Sequence, residues 1–463
     1  MVIKIMIKTV IKTTTVKKLT STAISAVIAG GLFHSSASAS GFALIENSAS
    51  GQGNAFAGAA AYAEDASTVW FNPAGMSKLK NNQLLVAGHI ISPEARFTDD
   101  GSTDGLSTPL NGANDKNDGA APVGNFYWVT DFGEKTKFGL GVTTPFGLTT
   151  EYNDNWVGRY HAVETDMKSI NFNPSISRQV SDNLSIGAGI NMFITDIALT
   201  SAIDFGSLLA AGGLGGAGPQ QEDGFAILQA DNTAFNEFAW GFNLGLLYEF
   251  GQGTTLGVAY RSEVEVNAAG KARFKVPAGA APILGSGAFQ DTRIKASVTL
   301  PQSLSVSLKQ QMGGVKLLAD ISWTGWSSFE ELRIQYANPF QPDTVTTENW
   351  DDTFRYSLGA DFDISPEMTL RTGVAYDETP VPSPQFRTAR IPGNDRTWLS
   401  FGMTYAFDPS LIVDVGYSHL FIDDAKINNT LETSQFPLNA TLNGTYKASV
   451  DILSVQLRWN YDL

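Results

Sequence analysis

The chain has 463 residues, of which 43% are hydrophobic, 11% aromatic and 17% charged; its net charge is −15 and it has no cysteine. A charged fraction below the roughly 25% of soluble domains, beside this aromatic content, implies an ordered chain with surface that faces something other than water. The acidic balance leaves no global basic footprint for nucleic acid, and the missing cysteine excludes disulfides, thiolate metal sites and a cysteine nucleophile.

In chain order, residues 1–39 read as a Sec-type signal peptide. Lys4, Lys8, Lys12, Lys17 and Lys18 precede an apolar run at 22–33, and Ala37, Ser38 and Ala39 form the cleavage site. The run is too short to span a bilayer, which takes about 20 apolar residues. Met6 is an alternative start. Residues 40–81 do not alternate; they are small, Ala-rich and broken into helix-sized pieces.

From residue 82 to 463 apolar and small or polar side chains alternate, the pattern of strands with one face to lipid and one to a lumen. The clearest case is the end of the chain, where Leu453, Val455, Leu457, Trp459 and Tyr461 alternate with Ser454, Gln456, Arg458 and Asn460. Fourteen strands are expected, near 82–98, 122–131, 136–146, 167–180, 183–199, 235–250, 253–267, 293–311, 314–336, 350–364, 367–377, 395–407, 410–424 and 444–463. Tight turns, such as Ser181-Asp182, Gly251-Gln252 and Asp408-Pro409, alternate with long loops. This is the habit of an all-β transmembrane antiparallel barrel with short periplasmic turns, long outside loops and both termini periplasmic.

About fourteen strands enclose a lumen too wide for wall side chains to fill, so residues 40–81 are expected to plug it as a hatch. Gly139, Gly141, Gly187, Gly189, Gly241 and Gly245 point inward by parity, leaving room for such a plug or permitting tighter coiling. Loops 200–234 and 268–292 are unexpectedly apolar: Phe205, Leu208, Leu209, Phe225, Ile283, Leu284 and Phe289 either pack on one another or hold an apolar molecule.

The residues GFALIENSASGQGNAFAG at the mature start, the triplet Asn72-Pro73-Ala74, the stretch Thr144 to Leu148, Trp323 to Leu332 and Ile391 to Leu399 together resemble the FadL-type family of outer-membrane long-chain fatty acid and hydrocarbon transporters. The resemblance implies a fourteen-stranded barrel with an amino-terminal hatch, no cofactor and no enzymatic activity. It further implies a landing groove between the two apolar loops, an inner pocket beside the hatch, and sideways release through a kinked third strand at Pro145, Phe146 and Gly147. Pro145 cannot donate to a sheet ladder, so a break there is physically reasonable, as is an ordinary strand end.

Phe42 and the triplet are then candidate ligand contacts, the triplet with a structural role as its alternative. A carboxylate would seek a base by charge-assisted hydrogen bonding. Arg355, Arg371 and Arg396, beside Trp398, point inward by parity, though each can instead pair with a lumen acid. Asp196, late in the fifth strand, favours neutral hydrocarbons over acids. The expected partners are fatty acids or hydrocarbons, outer-membrane lipid and lipopolysaccharide, and the barrel-assembly machinery during biogenesis. A polar-solute porin conflicts with a plug. A barrel lipase lacks a GxSxG elbow beside His89, His161 or His419.

Overall fold

The protein is represented by a computed structural model that describes residues 41–461 apart from 217, 234–237 and 433–438; the expected signal peptide lies outside the described residues. Fourteen antiparallel strands close a barrel. They are β1 (Asn82–Asp99), β2 (Ala121–Gly133), β3 (Thr136–Thr143, resumed at Gly147–Glu151), β4 (Glu164–Gln179), β5 (Leu184–Asp204), β6 (Asp223–Asp231 and Ala239–Gly251) and β7 (Thr254–Arg261 and Val264–Lys275). The second half comprises β8 (Thr292–Leu300 and Ser303–Met312), β9 (Val315–Thr324 and Glu331–Tyr336), β10 (Thr344–Thr347 and Thr353–Asp363), β11 (Met368–Asp377), β12 (Arg396–Ala406), β13 (Leu411–Ile422 and Ala425–Thr430) and β14 (Thr441–Tyr461).

Each strand pairs with its neighbour in sequence, and β14 returns to β1 along its whole length, from Asn82 opposite Tyr461 to Asp99 opposite Gly444. Closure removes every edge that would leave backbone groups unpaired in hydrocarbon. The alternation has the expected consequence. Leu453, Val455 and Leu457 are about half exposed on the outer face, while Ser454 and Gln456 are fully buried towards the bore. Trp240, Phe242, Phe250 and Phe407 carry the same outward apolar belt round the wall.

The two apolar stretches expected as loops are part wall and part loop. Residues 200–204, 223–231 and 268–275 extend strands β5, β6 and β7 past the belt as long arms, and the described residues between them, which include α4 (Phe205–Ala211) and a 3-10 turn (Ala278–Ser286), connect and cap these arms. Alternation is weak there because Leu199, Leu228, Ala230, Ala272 and Ile294 pack on one another across the inner side of the arms, and many facing residues are small.

Residues 41–80 lie within the bore as α1 (Ala49–Gly53), α2 (Ala59–Tyr62), α3 (Thr68–Phe71) and a 3-10 turn (Pro73–Lys78). Inward glycines of the wall make room for them. A β-carbon at Gly139 would collide with Met76, at Gly187 with Ala74, at Gly245 with Asn72 and at Gly257 with Ala60. Gly373 and Gly402 are pressed by Asn54 and Gly53 in the same way. Gly189 and Gly241 instead face side chains of the wall itself, so wall packing explains those two.

Candidate functional site: a cavity between the amino-terminal segment and the wall

Two kinds of contact fix the amino-terminal segment. Deep in the bore it is anchored electrostatically: Arg371 reaches Glu64 at 2.6 Å and Asp361 at 2.5 Å, with Asp414 at 3.7 Å. Arg458 donates to the Glu64 carbonyl at 3.0 Å. Burial alone would raise the Glu64 carboxyl, but the Arg371 and Arg458 guanidiniums outweigh it and hold Glu64 below the usual carboxylate range. Gln456 donates to Asp65 at 2.8 Å from the wall side.

At its start the segment is stitched to the wall where β3 is interrupted. Leu44 donates its backbone N–H to Pro145 at 2.8 Å, Gly147 donates to Phe42 at 3.0 Å, and Ala43 bridges Phe146. Between Thr143 and Gly147 the register against β4 slips, from Thr143 opposite Asn171 to Gly147 opposite Lys168, so β3 carries one extra residue. The ladder between β2 and β3 stops at Phe126 opposite Val142. Above that point the Asn125 side chain of β2 accepts from the Thr144 N–H at 3.4 Å in place of a backbone bond, and Asn117, in a short segment (Lys116–Asn117) paired with β1, donates to the Thr149 carbonyl at 3.4 Å. Pro145, which has no N–H to give, sits in this break.

Above the anchored helices and beside the break lies a cavity with a volume of about 180 Å³, open at one mouth. Phe56, Trp70, Phe71, Phe146, Trp326 and Trp398 supply most of its apolar lining, and Pro73 and Pro145 also reach it. Phe42 packs against the lining from one side, with its ring centroid 4.8 Å from that of Trp326, 5.4 Å from Phe329 and 5.7 Å from Trp350. Such edge-on aromatic packing is directional as well as apolar.

The three arginines singled out in the sequence fare differently. Arg371 is saturated by the acids named above. Arg396 is buried with Asp377 at 3.6 Å and lies outside the cavity lining. Arg355 does line the cavity: it donates to the Ala55 carbonyl at 2.9 Å and lies 5.2 Å from the Trp398 ring, while its Nε and Nη1 have no hydrogen-bond partner among the described residues.

A fourth arginine escaped the sequence reading. Arg261, at the top of the first segment of β7, lines the cavity, stacks 3.5 Å from the Trp70 ring centroid, and donates to the Trp70 carbonyl and the Asn191 side chain. No carboxylate lies within ion-pair distance of it among the described residues. The parity of Thr255, Gly257 and Ala259 would have put it inward.

Asn72 and Ala74 are not part of the lining. Asn72 donates to the Ala60 and Leu246 carbonyls at 2.6 and 3.0 Å and accepts from Ala74 at 3.0 Å, so it ties the segment to itself and to the wall. At the long-loop end Phe205, Leu208, Leu209, Ile283 and Phe289 form one cluster, with Phe205 and Leu209 fully covered. Leu284 is partly exposed at its rim, and Phe225 packs elsewhere, beside Tyr160 and Ala202.

His89 is hydrogen bonded to Ser454 through Nδ1 at 2.5 Å and to the Asn125 amide through Nε2 at 3.0 Å. Accepting from that amide makes Nδ1 the donor, the wrong tautomer for a base towards Ser454, and all three residues are buried.

Residues 31–461 match the family described as outer membrane protein transport protein (OMPP1/FadL/TodX). The chain is 32% identical to the 47 kDa outer membrane protein of Pasteurella multocida, over 94% of this chain and 96% of the relative. It is 30% identical to the long-chain fatty acid transport protein of Escherichia coli, over 87% and 92%. Its fold superposes on the crystal structure of a Pseudomonas aeruginosa FadL homologue with a TM-score of 0.83 at 23% identity, covering 91% of this chain and all of the other.

Proposed function

We propose, from the premise that the chain belongs to the outer membrane protein transport family (OMPP1/FadL/TodX), that it passes long-chain fatty acids and similar hydrophobic molecules across the outer membrane by passive diffusion. In this reading residues 40–81 are a hatch, and residues 82–463 form the barrel. The short turns and both termini face the periplasm, and the long arms face outside. The observation that carries the reading is the cavity itself, apolar on most sides, closed below by the amino-terminal segment, and lined by two guanidiniums, Arg261 and Arg355, that form no ion pair among the described residues, although Asp320 and Asp377 share the lining.

An acyl tail gains roughly 0.8 kcal/mol per methylene removed from water, so such a cavity retains it where a wet channel would not. The carboxylate meets Arg261 and Arg355, and at Arg355 a charge-assisted hydrogen bond replaces an unmade one. The break at Pro145, Phe146 and Gly147 adjoins the cavity, and there the wall between β2 and β3 is held by side chains instead of a ladder. Sideways release through that gap needs only a few weak bonds to part. The apolar cluster under α4, with Leu284 at its rim, is the landing surface.

The test is uptake of labelled oleate by cells that lack their own transporter, paired with planar-bilayer recording of the purified protein. Oleate uptake without a large ligand-free conductance is expected. Steady conductance of small ions through the unliganded protein would refute the hatch. Binding of toluene but not of oleate would restrict the substrates to neutral hydrocarbons.

A further inference from the structure

The chain is acidic, yet one outward patch of the wall is strongly basic. On β7, Lys271 and Arg273 are exposed, and on the adjacent β8 so are Arg293 and Lys295. Their parity is outward: the alternate residues Ala272 and Ile294 belong to the cluster inside the arms. Lys271 stands directly opposite Arg293 in the ladder. Arg273 and Lys295 lie two residues away on opposite sides of that pair, so the four cations form an oblique row with Lys271 and Arg293 at its centre and successive members about 5–8 Å apart.

Like charges directly opposite on adjacent strands destabilise a sheet. Here no ion pair among the described residues relieves them, and the flanking strands present Gln229 beside Lys271 and Gln335 beside Lys295. The acids that share the face, Asp231, Glu265 and Asp291, pair with none of them. A quartet that forms no ion pair with the acids beside it keeps its charges for an external anion.

Its height selects the anion. The outward apolar belt ends near Tyr260 on β7 and Leu304 on β8, and the quartet lies roughly ten residues further towards the long-loop end. At about 3.3 Å per residue and a strand tilt near 40°, that is about 20–25 Å above the hydrocarbon. Phospholipid headgroups do not extend so far, whereas the saccharide chains of lipopolysaccharide do.

We propose that Lys271, Arg273, Arg293 and Lys295 bind the phosphate and acid groups of the lipopolysaccharide core saccharide. The proposal rests on the outside placement of the long arms, and not on what the cavity transports. Phosphate suits the quartet because several oxygens can accept from guanidinium and ammonium groups at once.

The test measures binding of the full-length, delipidated protein in detergent to three glycolipids: lipopolysaccharide with a complete phosphorylated core, the same material after chemical dephosphorylation, and lipid A alone. The variant Lys271→Gln/Arg273→Gln/Arg293→Gln/Lys295→Gln is compared with a charge-matched control, Arg96→Gln/Lys116→Gln/Lys426→Gln/Lys447→Gln. A loss of tenfold or more is expected for the complete glycolipid in the first variant only, with no change for lipid A and a similar loss in the parent on dephosphorylation. Equal binding by parent and variant, an equal loss in the control, or an equal loss for lipid A each overturns it. A single exchange, Lys271→Glu, adds a second reading: it places an acid opposite Arg293, so it is expected to raise Tm in lipid-free detergent while weakening glycolipid binding. A lowered Tm with unchanged binding counts against the site. Oleate binding, unaffected in every variant, separates this outcome from failure of the transport reading.

Discussion

Replacing Glu46 by Gln tests how the amino-terminal segment is held. Glu46 is 2% exposed, and its Oε2 has no hydrogen-bond partner among the described residues. Burial pushes its carboxyl from 4.5 up to about 7, against the opposing pull of a backbone hydrogen bond and of Arg396 and Arg355. A carboxyl whose pKa is higher in the docked segment than in the free one favours docking most fully below about pH 4.5, and that contribution is lost as pH rises through about 7. Across the whole interval the gap amounts to about 3 kcal/mol, and between pH 5.5 and 8.5 to about 2 kcal/mol, roughly thirtyfold in local opening. Hydrogen–deuterium exchange of the backbone around residues 42–48, corrected for the intrinsic rate at each pH, reads this directly. Protection in the parent is expected to fall by about that factor, and in Glu46→Gln to stay flat. An equal fall in both proteins would refute the assignment, because the titrating group would then lie elsewhere.

Arg371→Met strands Asp361 in a dry environment, leaves Glu64 and Asp414 to Arg458 alone, and is expected to cost about 3–5 kcal/mol in urea unfolding, whereas Arg261→Gln leaves the fold intact. In titrations, Arg261→Gln lowers oleate affinity about tenfold, equivalent to about 1.4 kcal/mol, with toluene affinity unchanged. Gly245→Val drives a side chain into Asn72 and is expected to raise ligand-free conductance in planar bilayers, while Gly88→Val, where nothing lies within 4 Å, does not. Phe42→Ala empties the centre of the Trp326, Phe329 and Trp350 cluster, at a cost of about 3–5 kcal/mol concentrated in the first residues. Protease sensitivity of the amino-terminal segment at unchanged barrel melting is the expected result.

The barrel was legible because a bilayer enforces its pattern: lipid on one face and a packed bore on the other impose alternation from β1 to β14, with the weakest signal on the arms, which rise past the belt and whose outer face is no longer apolar. The presence of an inner segment followed from the width of the bore and from inward glycines, of which Gly139, Gly187 and Gly245 proved to face it. Which arginine stays unneutralised was not legible, because it depends on partners hundreds of residues away. Arg355 meets the Ala55 carbonyl and Arg371 meets Glu64, and periodicity carries no information about either meeting. Yet the inner segment has few acids to give: between residues 41 and 80 only Glu46, Glu64 and Asp65 are present. Glu64 is taken by Arg371 and Arg458, Asp65 by Ser50, Ser67 and Gln456, and Glu46 sits nearest Arg396 and Arg355 without bonding either. The wall supplies the other inward acids, and most are engaged: Asp361 and Asp414 by Arg371 and Arg458, and Asp377 by Arg396, which leaves Arg261 facing the cavity with a carbonyl, an amide and a ring for company. Arg261 ties the inner segment to the wall through the Trp70 carbonyl and ring, yet its charge has no carboxylate at ion-pair distance among the described residues, and that unspent charge is what the proposed acid ligand would use.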